Sequence, residues 1–292
     1  MSELANAVER VWPGVETRVE VLGGGITNHN LKVAVGDETY VLRVAGKDTN
    51  LLGIDRTGEL EATKAAAALG IGPEVVQFVE PEGWIVTRFI EGTTPPVEHM
   101  REPAMLARVA AALRALHEGP PIPAGFDSFR VVEAYRETAL ARGGTVPSGY
   151  EWAHEIASRI ERIRRNAVPK PCHNDLLNAN FLDDGERLRI VDWEYAGMGD
   201  PFFDLANFSI NHELDESGRS MFLEAYSDAA RPEHTRALEL MRFMSDFREA
   251  MWGVVQTAVS ELDFDFVAYA SEHFDRLERT STEPSFRAAL DP

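Results

Sequence analysis

At 292 residues, with 44% hydrophobic and 26% charged residues, the chain has the composition of a globular protein long enough for one large domain or two lobes. A net charge of -19 argues against a nucleic-acid partner, whose phosphates demand lysine and arginine, and suits the attraction of a small cationic substrate. The single cysteine, Cys172, excludes an internal disulfide and a cysteine-based zinc site; with no basic, apolar leader and no run of ~18 apolar residues, the expected compartment is the cytoplasm and no membrane insertion is expected.

The first ninety residues read as β-rich. Segments 17–22, 30–35 and 39–44 carry β-branched and apolar residues separated by Gly-Gly-Gly and Gly-Asp turns. An alanine-rich helix is expected over 57–69, stopped by Gly70. Strands at 74–79 and 84–89 flank a Pro-Glu-Gly turn, and Thr93, Thr94, Pro95 and Pro96 read as a linker. Beyond it the pattern is helical. Leu106, Val109, Leu113 and Leu116 form a stripe over 105–117, and Trp152, Ile156, Ile160 and Ile163 form another over 151–166. Further helices fill 205 to about 279. The expected fold is α+β and bilobal: a small antiparallel sheet lobe with one helix over 1–91, and a larger, mainly helical lobe over 92–292. A hinge near 88–92 would leave a cleft suited to a small ligand.

Two segments interrupt the helices, PCHNDLLNANFL at 171–182 and IVDWEYAGMGDPFFDLA at 190–206. They place Asn180 five residues after Asp175, and Asp192 twelve after Asn180. Phosphoryl transfer from a nucleotide needs these groups in this order: one carboxylate to orient and deprotonate a hydroxyl, then an amide and a second carboxylate to hold Mg²⁺ against the phosphates. Phe181-Leu182 and 188–191 are short apolar runs around an Asp183-Asp184-Gly185 turn, so a hairpin would bring Asn180 and Asp192 to the same end.

The N-terminal half supplies candidate nucleotide contacts. In LGGGITNHNLKV, at 22–33, glycines such as Gly24 and Gly25 permit close backbone approach to phosphate, and Thr27 and Asn28 add donors. No GK[ST] follows, so this is not a Walker motif. In YVLRVAG, at 40–46, Arg43 stands among apolar residues and needs a partner, for which Glu59 on the next helix is placed. Glycine loop, strand cation, helix carboxylate, hinge and Asp/Asn/Asp follow the order of parts in protein kinases. His173-Asn174-Asp175 and Asp192-Trp193-Glu194 replace HRD and DFG, and no activation loop follows Asp192. A site without that loop is not built for peptide substrates.

At these residues, and at IDRTGE (54–59), MWGVVQ (251–256) and LDFDFVAYA (262–270), the chain resembles the choline/ethanolamine kinase group of the aminoglycoside phosphotransferase-like kinases over nearly its whole length. The resemblance implies Asp175 as base and Asn180 and Asp192 as Mg²⁺ ligands. It also implies Arg43, steadied by Glu59, on the phosphates of ATP beneath residues 23–28. Backbone around Arg88, Phe89 and Ile90 would bind adenine. His173 would hold the catalytic loop, and Asp204 would brace it or cap the next helix. Trp252, Tyr269 and Tyr195 would lie closest to a quaternary ammonium, which only aromatic faces and diffuse negative charge can recognise. Trp193, Glu194, Asp263 and Glu213 are further candidates for that half.

One tryptophan of the doubled block found in eukaryotic relatives is absent; Glu249 and Trp252 stand there instead. Choline and ethanolamine therefore both remain as acceptors, the acidic residues suiting a primary ammonium. An aminoglycoside phosphotransferase on the same machinery and a non-catalytic nucleotide-binding module are the remoter alternatives. The partners implied are a small amino alcohol and a nucleotide, and the sequence marks no oligomer surface.

Overall fold

Alternation along β1 (Arg18–Leu22), β2 (Asn28–Val35) and β3 (Glu38–Ala45) builds the N-terminal sheet of the computed structural model, which describes residues 2–23, 28–46, 49–227, 231–260 and 262–291. With β4 (Val75–Val79) and β5 (Trp84–Arg88) it forms five antiparallel strands in the order β1-β2-β3-β5-β4. One face carries Leu31, Val33, Leu42 and Val44, which pack against Ala7, Val8 and Val11 of α1 (Ser2–Val11). That first helix was not foreseen. Its buried positions recur at one and three residues, so it closes the outer face of the sheet. The opposite face presents Asn30, Val41 and Arg43 to the cleft.

Helix α2 (Arg56–Ala68) begins on Asp55, whose carboxylate accepts from the Thr57 amide at 3.0 Å. It ends where Gly70 adopts φ +72°, with Ile71 N–H donating to the Ala66 carbonyl at 3.0 Å. That is the predicted stop, realised as a Schellman turn. The segment 93–96 is not a free linker. Thr93 and Asp183 exchange backbone hydrogen bonds at 3.0 and 2.9 Å, and Asn178 donates to the Pro95 carbonyl at 3.1 Å. Gly92 lies so close to the Asp183 carbonyl that a Cβ there would sit 2.9 Å from its oxygen. The chain therefore leaves the sheet lobe strapped to the catalytic hairpin.

The second lobe holds α3 (Val97–Met100), α4 (Pro103–His117), α5 (Ser128–Ala141), α6 (Gly149–Arg164), α7 (Pro201–Asn211), α8 (Glu216–Ser227), α9 (Pro232–Val259), α10 (Phe266–Thr282) and α11 (Pro284–Leu290). The stripe predicted on α4 is buried throughout. Of the stripe predicted on α6, Ile160 is buried and Ile156 and Ile163 pack against the core. Tyr150, Ala153, Ala157 and Ile160 face the core, while Trp152 is 36% exposed. The helix starts two residues earlier than expected, and alanines fill the face where it meets the core closely. Long α9 is the central element, packed against α5, α7 and α10. No helix among the described residues is long and apolar enough to cross a membrane.

His212 shows what burial in this lobe costs. Its Nδ1–H donates to the Phe208 carbonyl at 2.9 Å, its ring stacks on Phe208 with centroids 4.1 Å apart, and its Nε2 has no partner. Burial pushes the imidazole down to about 4. A depressed histidine contributes stability that is full above its unfolded pKa and is lost as pH falls towards the folded value. Denaturant unfolding of wild type should therefore lose roughly 2 kcal/mol more than His212→Phe between pH 7.5 and pH 5. Parallel pH profiles for the two proteins would contradict it.

Candidate active site

The catalytic segment leaves β6 (Lys170–Cys172), which pairs antiparallel with β9 (Gly197–Gly199). Between them the chain forms a tight loop, one helical turn at Asn178–Asn180, and the hairpin β7 (Phe181–Asp183) and β8 (Leu188–Ile190). Val191 N–H donates to the Asn180 carbonyl at 2.9 Å, so Asn180 and Asp192 stand at one end of the hairpin, as the spacing foretold.

The loop's shape is held from below. Asn174 and Asp192 adopt φ of 66° and 68°, a region costly for a side-chain-bearing residue unless the surroundings enforce it. Asp204, fully buried on α7, accepts from the amides of His173 at 2.8 Å and Asn174 at 2.7 Å and also meets His117 Nε2 at 3.0 Å. Asp204 thus braces the loop, and the alternative role falls to Asp200, which caps α7. His173 bridges to the Val191 carbonyl at 3.0 Å through Nε2 and accepts from the Asp175 amide at 3.2 Å through Nδ1. That pattern selects the Nε2–H tautomer, and burial lowers the ring's pKa, so it is a neutral strut. The nitrogen, sulfur and oxygen of His117, Cys172 and Asp204 lie within 4.8 Å of one another. Burial raises the Cys172 thiol well above its usual value, the thiol donates to the Lys170 carbonyl at 3.3 Å, and both Asp204 oxygens accept hydrogen bonds, so the trio is packing around the Asp204 brace and not a metal site.

Above the loop lies a cavity of about 390 Å³, lined among others by Gly23, Arg43, Glu59, Phe89, Ile90, Asn180, Asp192 and Trp193. Arg43 rises into it from β3, an interior strand. It meets Glu59 at 3.1 Å, Asp192 at 2.5 Å and Glu194 at 3.3 Å. Burial opposes its charge, but those three carboxylates more than offset that and hold it cationic. Asn28, expected to offer a donor to phosphate, has other partners. It donates to Glu194 at 2.8 Å and accepts from Arg56 at 2.9 Å. Glu194, read from the sequence as a substrate-side acid, instead pairs with Asn28, Arg43 and Arg56 of the first lobe. Trp193 likewise packs on His173, ring centroids 4.6 Å apart. Glu213 is a 76% exposed partner of Arg101 on the surface. Gly24, Gly25 and Thr27 lie outside the described residues. At the hinge, the amides of Arg88 and Phe89 already donate to Glu74 and Thr39, which leaves carbonyls and the Ile90 backbone to face a base.

Asp175, 8% exposed, lies against Asn180 of the cavity wall. Asn180 donates to its carbonyl at 2.8 Å and lies 3.4 Å from its carboxylate. Because the Asn180 nitrogen is occupied there, its oxygen remains for a hard cation, and with the Asp192 carboxylate it makes an all-oxygen pair that fits Mg²⁺. Burial pushes the Asp175 carboxyl above the usual carboxylate range; Arg248 pulls it back, and Glu249, Asp192 and Glu194 add to the push.

On the far side of Asp175 the three expected aromatics do meet. Trp252 Nε1 donates to the Tyr195 hydroxyl at 3.0 Å, Trp252 and Tyr269 stand edge to face at 5.5 Å, and Tyr269 donates to Glu249 at 2.8 Å. Sequence reasoning missed Arg248. Its guanidinium lies 4.3 Å over the Tyr195 ring and reaches Asp175 at 3.3 Å and Glu249 at 2.5 Å. The signal was available: an Arg-Glu pair inside the apolar run of α9 must be buried and paired.

Residues 18–240 match the phosphotransferase enzyme family. This chain belongs to that family. The phosphotransferase is 31% identical to a choline/ethanolamine kinase family protein from Mesorhizobium loti, with a TM-score of 0.84, covering 99% of this chain and 98% of that one. It is 26% identical over 264 residues to protein LicA of Haemophilus influenzae, spanning 86% of this chain and 76% of LicA. It is 25% identical over 306 residues to ethanolamine kinase 2 of Rattus norvegicus, spanning 94% and 79%. The phosphotransferase therefore transfers phosphoryl groups to an alcohol acceptor, on a bilobal kinase-like fold.

Proposed function

We propose that this phosphotransferase moves the γ-phosphoryl group of ATP to the hydroxyl of choline or a similar small amino alcohol. The observation that carries the reading is that Asn180 and Asp192 line the cavity, Asp175 lies against Asn180, and Arg43 enters from the sheet paired with Glu59 of α2. Residues 1–91 would form the nucleotide lobe and residues 92–292 the catalytic and acceptor lobe. The cleft backbone near Phe89 and Ile90 would take the base, and Arg43 the phosphates. Asp175 would orient the acceptor hydroxyl and receive its proton as the new P–O bond forms. Mg²⁺, held by Asn180 and Asp192, would neutralise the phosphate oxygens. Positioning and charge would supply most of the rate. A cytoplasmic enzyme with free access to ATP is the matching setting.

Ethanolamine stands beside choline on a specific observation. Glu249 is buried and ionised next to Tyr269: burial opposes its charge, but Arg248, His273 and the Tyr269 hydroxyl hold its pKa below the usual value. It could therefore accept from a primary ammonium, as the aromatics alone could not.

The test is ADP release with ATP and Mg²⁺ across choline, ethanolamine, their N-methylated intermediates and an aminoglycoside. Turnover of a small amino alcohol supports the reading; turnover of the aminoglycoside alone overturns it. Within that assay, Trp252→Ala should raise KM for choline by about tenfold or more, and KM for ATP less than about twofold. Equal changes in both would make Trp252 core packing.

A further inference from the structure

Arg248 is 1% exposed, and only one of its terminal nitrogens, Nη1, has partners. Nε and Nη2 are buried and have none. These two nitrogens form one edge of the guanidinium, a pair of parallel donors matched to a carboxylate or phosphate. Among the described residues no other arginine buries two unpaired nitrogens. Buried charged donors are almost always satisfied in native proteins, so a matched pair beside the catalytic carboxylate calls for an occupant. The rest of the side chain cannot swing aside freely. Nη1 is tied to Asp175 and Glu249, and the ring of Tyr195 supports the flat face at 4.3 Å.

The same placement restricts cations. A quaternary ammonium on the Tyr195 face would meet a guanidinium already there, and like charges at contact distance repel strongly away from bulk water. Arg248 lies between Asp175 and Glu249, so with both carboxylates ionised the three together carry one net negative charge. An acceptor bearing both an ammonium and an anionic group leaves that balance unchanged, with its ammonium against Glu249.

We propose that the free edge of Arg248 is an oxyanion site on the acceptor side of Asp175. Resting on the kinase reading, it has two sources of oxyanion: a carboxylate carried by the acceptor, as in a hydroxylated amino acid, or the phosphoryl group as it passes to the hydroxyl. In either case Arg248 works through two parallel N–H donors, which lysine cannot reproduce.

Arg248→Lys keeps the charge beside Asp175 and removes the fork. The decisive acceptor pair is ethanolamine and L-serine, which differ by one carboxylate. If the acceptor supplies the oxyanion, wild type should prefer L-serine in kcat/KM by about tenfold or more, and the variant should lose that preference. If the phosphoryl group supplies it, the variant should lose about tenfold or more in kcat with every acceptor, at an unchanged ratio between them. A variant within about twofold of wild type in both respects overturns the site.

Calorimetric titration of the ADP-saturated protein with L-serine and with inorganic phosphate gives a readout that needs no turnover. About tenfold weaker binding of either to the variant supports the site, and equal binding overturns it. If wild type phosphorylates none of the acceptors, the kinase reading has failed and this titration alone decides the oxyanion site. Should the variant not fold, wild type decides. L-serine binding no tighter than ethanolamine, together with no phosphate binding, overturns the proposal.

Discussion

Asp175→Asn is expected to lower kcat by about 10²- to 10⁴-fold, the range for loss of a positioned general base. ATP affinity and melting temperature should barely move. The asparagine keeps the shape of the aspartate and an oxygen for Arg248, which reaches this position at 3.3 Å. It still offers its backbone carbonyl to Asn180, whose hydrogen bond there is 2.8 Å. It also relieves a buried carboxyl that burial already holds above its usual range. For the same reason, the acid limb of the wild-type kcat/KM profile should lie above the ordinary carboxylate range, the rate rising as pH increases. An Asp175→Asn enzyme with near wild-type kcat would remove Asp175 from the chemistry. Lost ATP binding together with a lowered melting point would show instead that the residue supports the fold.

Asp204→Ala should be the most destabilising single change in the site. The carboxylate is fully buried and satisfies two backbone amides at 2.8 and 2.7 Å and the His117 ring at 3.0 Å. Its removal strands all three, a loss of roughly 3–5 kcal/mol. In a chain of this size that lowers the melting temperature by roughly 10 °C. Asn174 would also lose the contact that holds it at positive φ, so Asp175 would be displaced and kcat should fall even where the protein stays folded. Nucleotide affinity should fall least, because Arg43 and Glu59 stand on other elements. An unfolding free energy within about 1 kcal/mol of wild type would show that the loop holds itself.

Some of this site was legible because its signals are local. A turn of Asp183, Asp184 and Gly185 between short apolar runs specifies a hairpin, and a hairpin fixes which of its flanking residues share an end. The stop at Gly70 is equally local, since a left-handed turn there favours glycine. Arg43 announced a partner by standing in an apolar strand, and Glu59 proved to be one of three. Of the α6 stripe only Trp152 was misplaced, because several registers of a helix look apolar, and the neighbour, not the period, sets the edge of the buried face. Helix α1 was overlooked because its few apolar residues acquire meaning only against the back of the sheet.

By itself the sequence determined the five strands of the first lobe, the helices near 57–69, 105–117 and 151–166, the hairpin and the candidate set Asp175, Asn180 and Asp192. Each depends on residues within a few turns or strands of one another, where periodicity and turn chemistry act. Only the tertiary structure decided that Asn28 and Glu194 hold one another across 166 positions, that Asp204 lies under the catalytic loop, and that Arg248 occupies the face of Tyr195 beside the base. Those contacts pair charges and amides far apart in the chain. Burial sets their strength, and burial exists only once the lobes have packed.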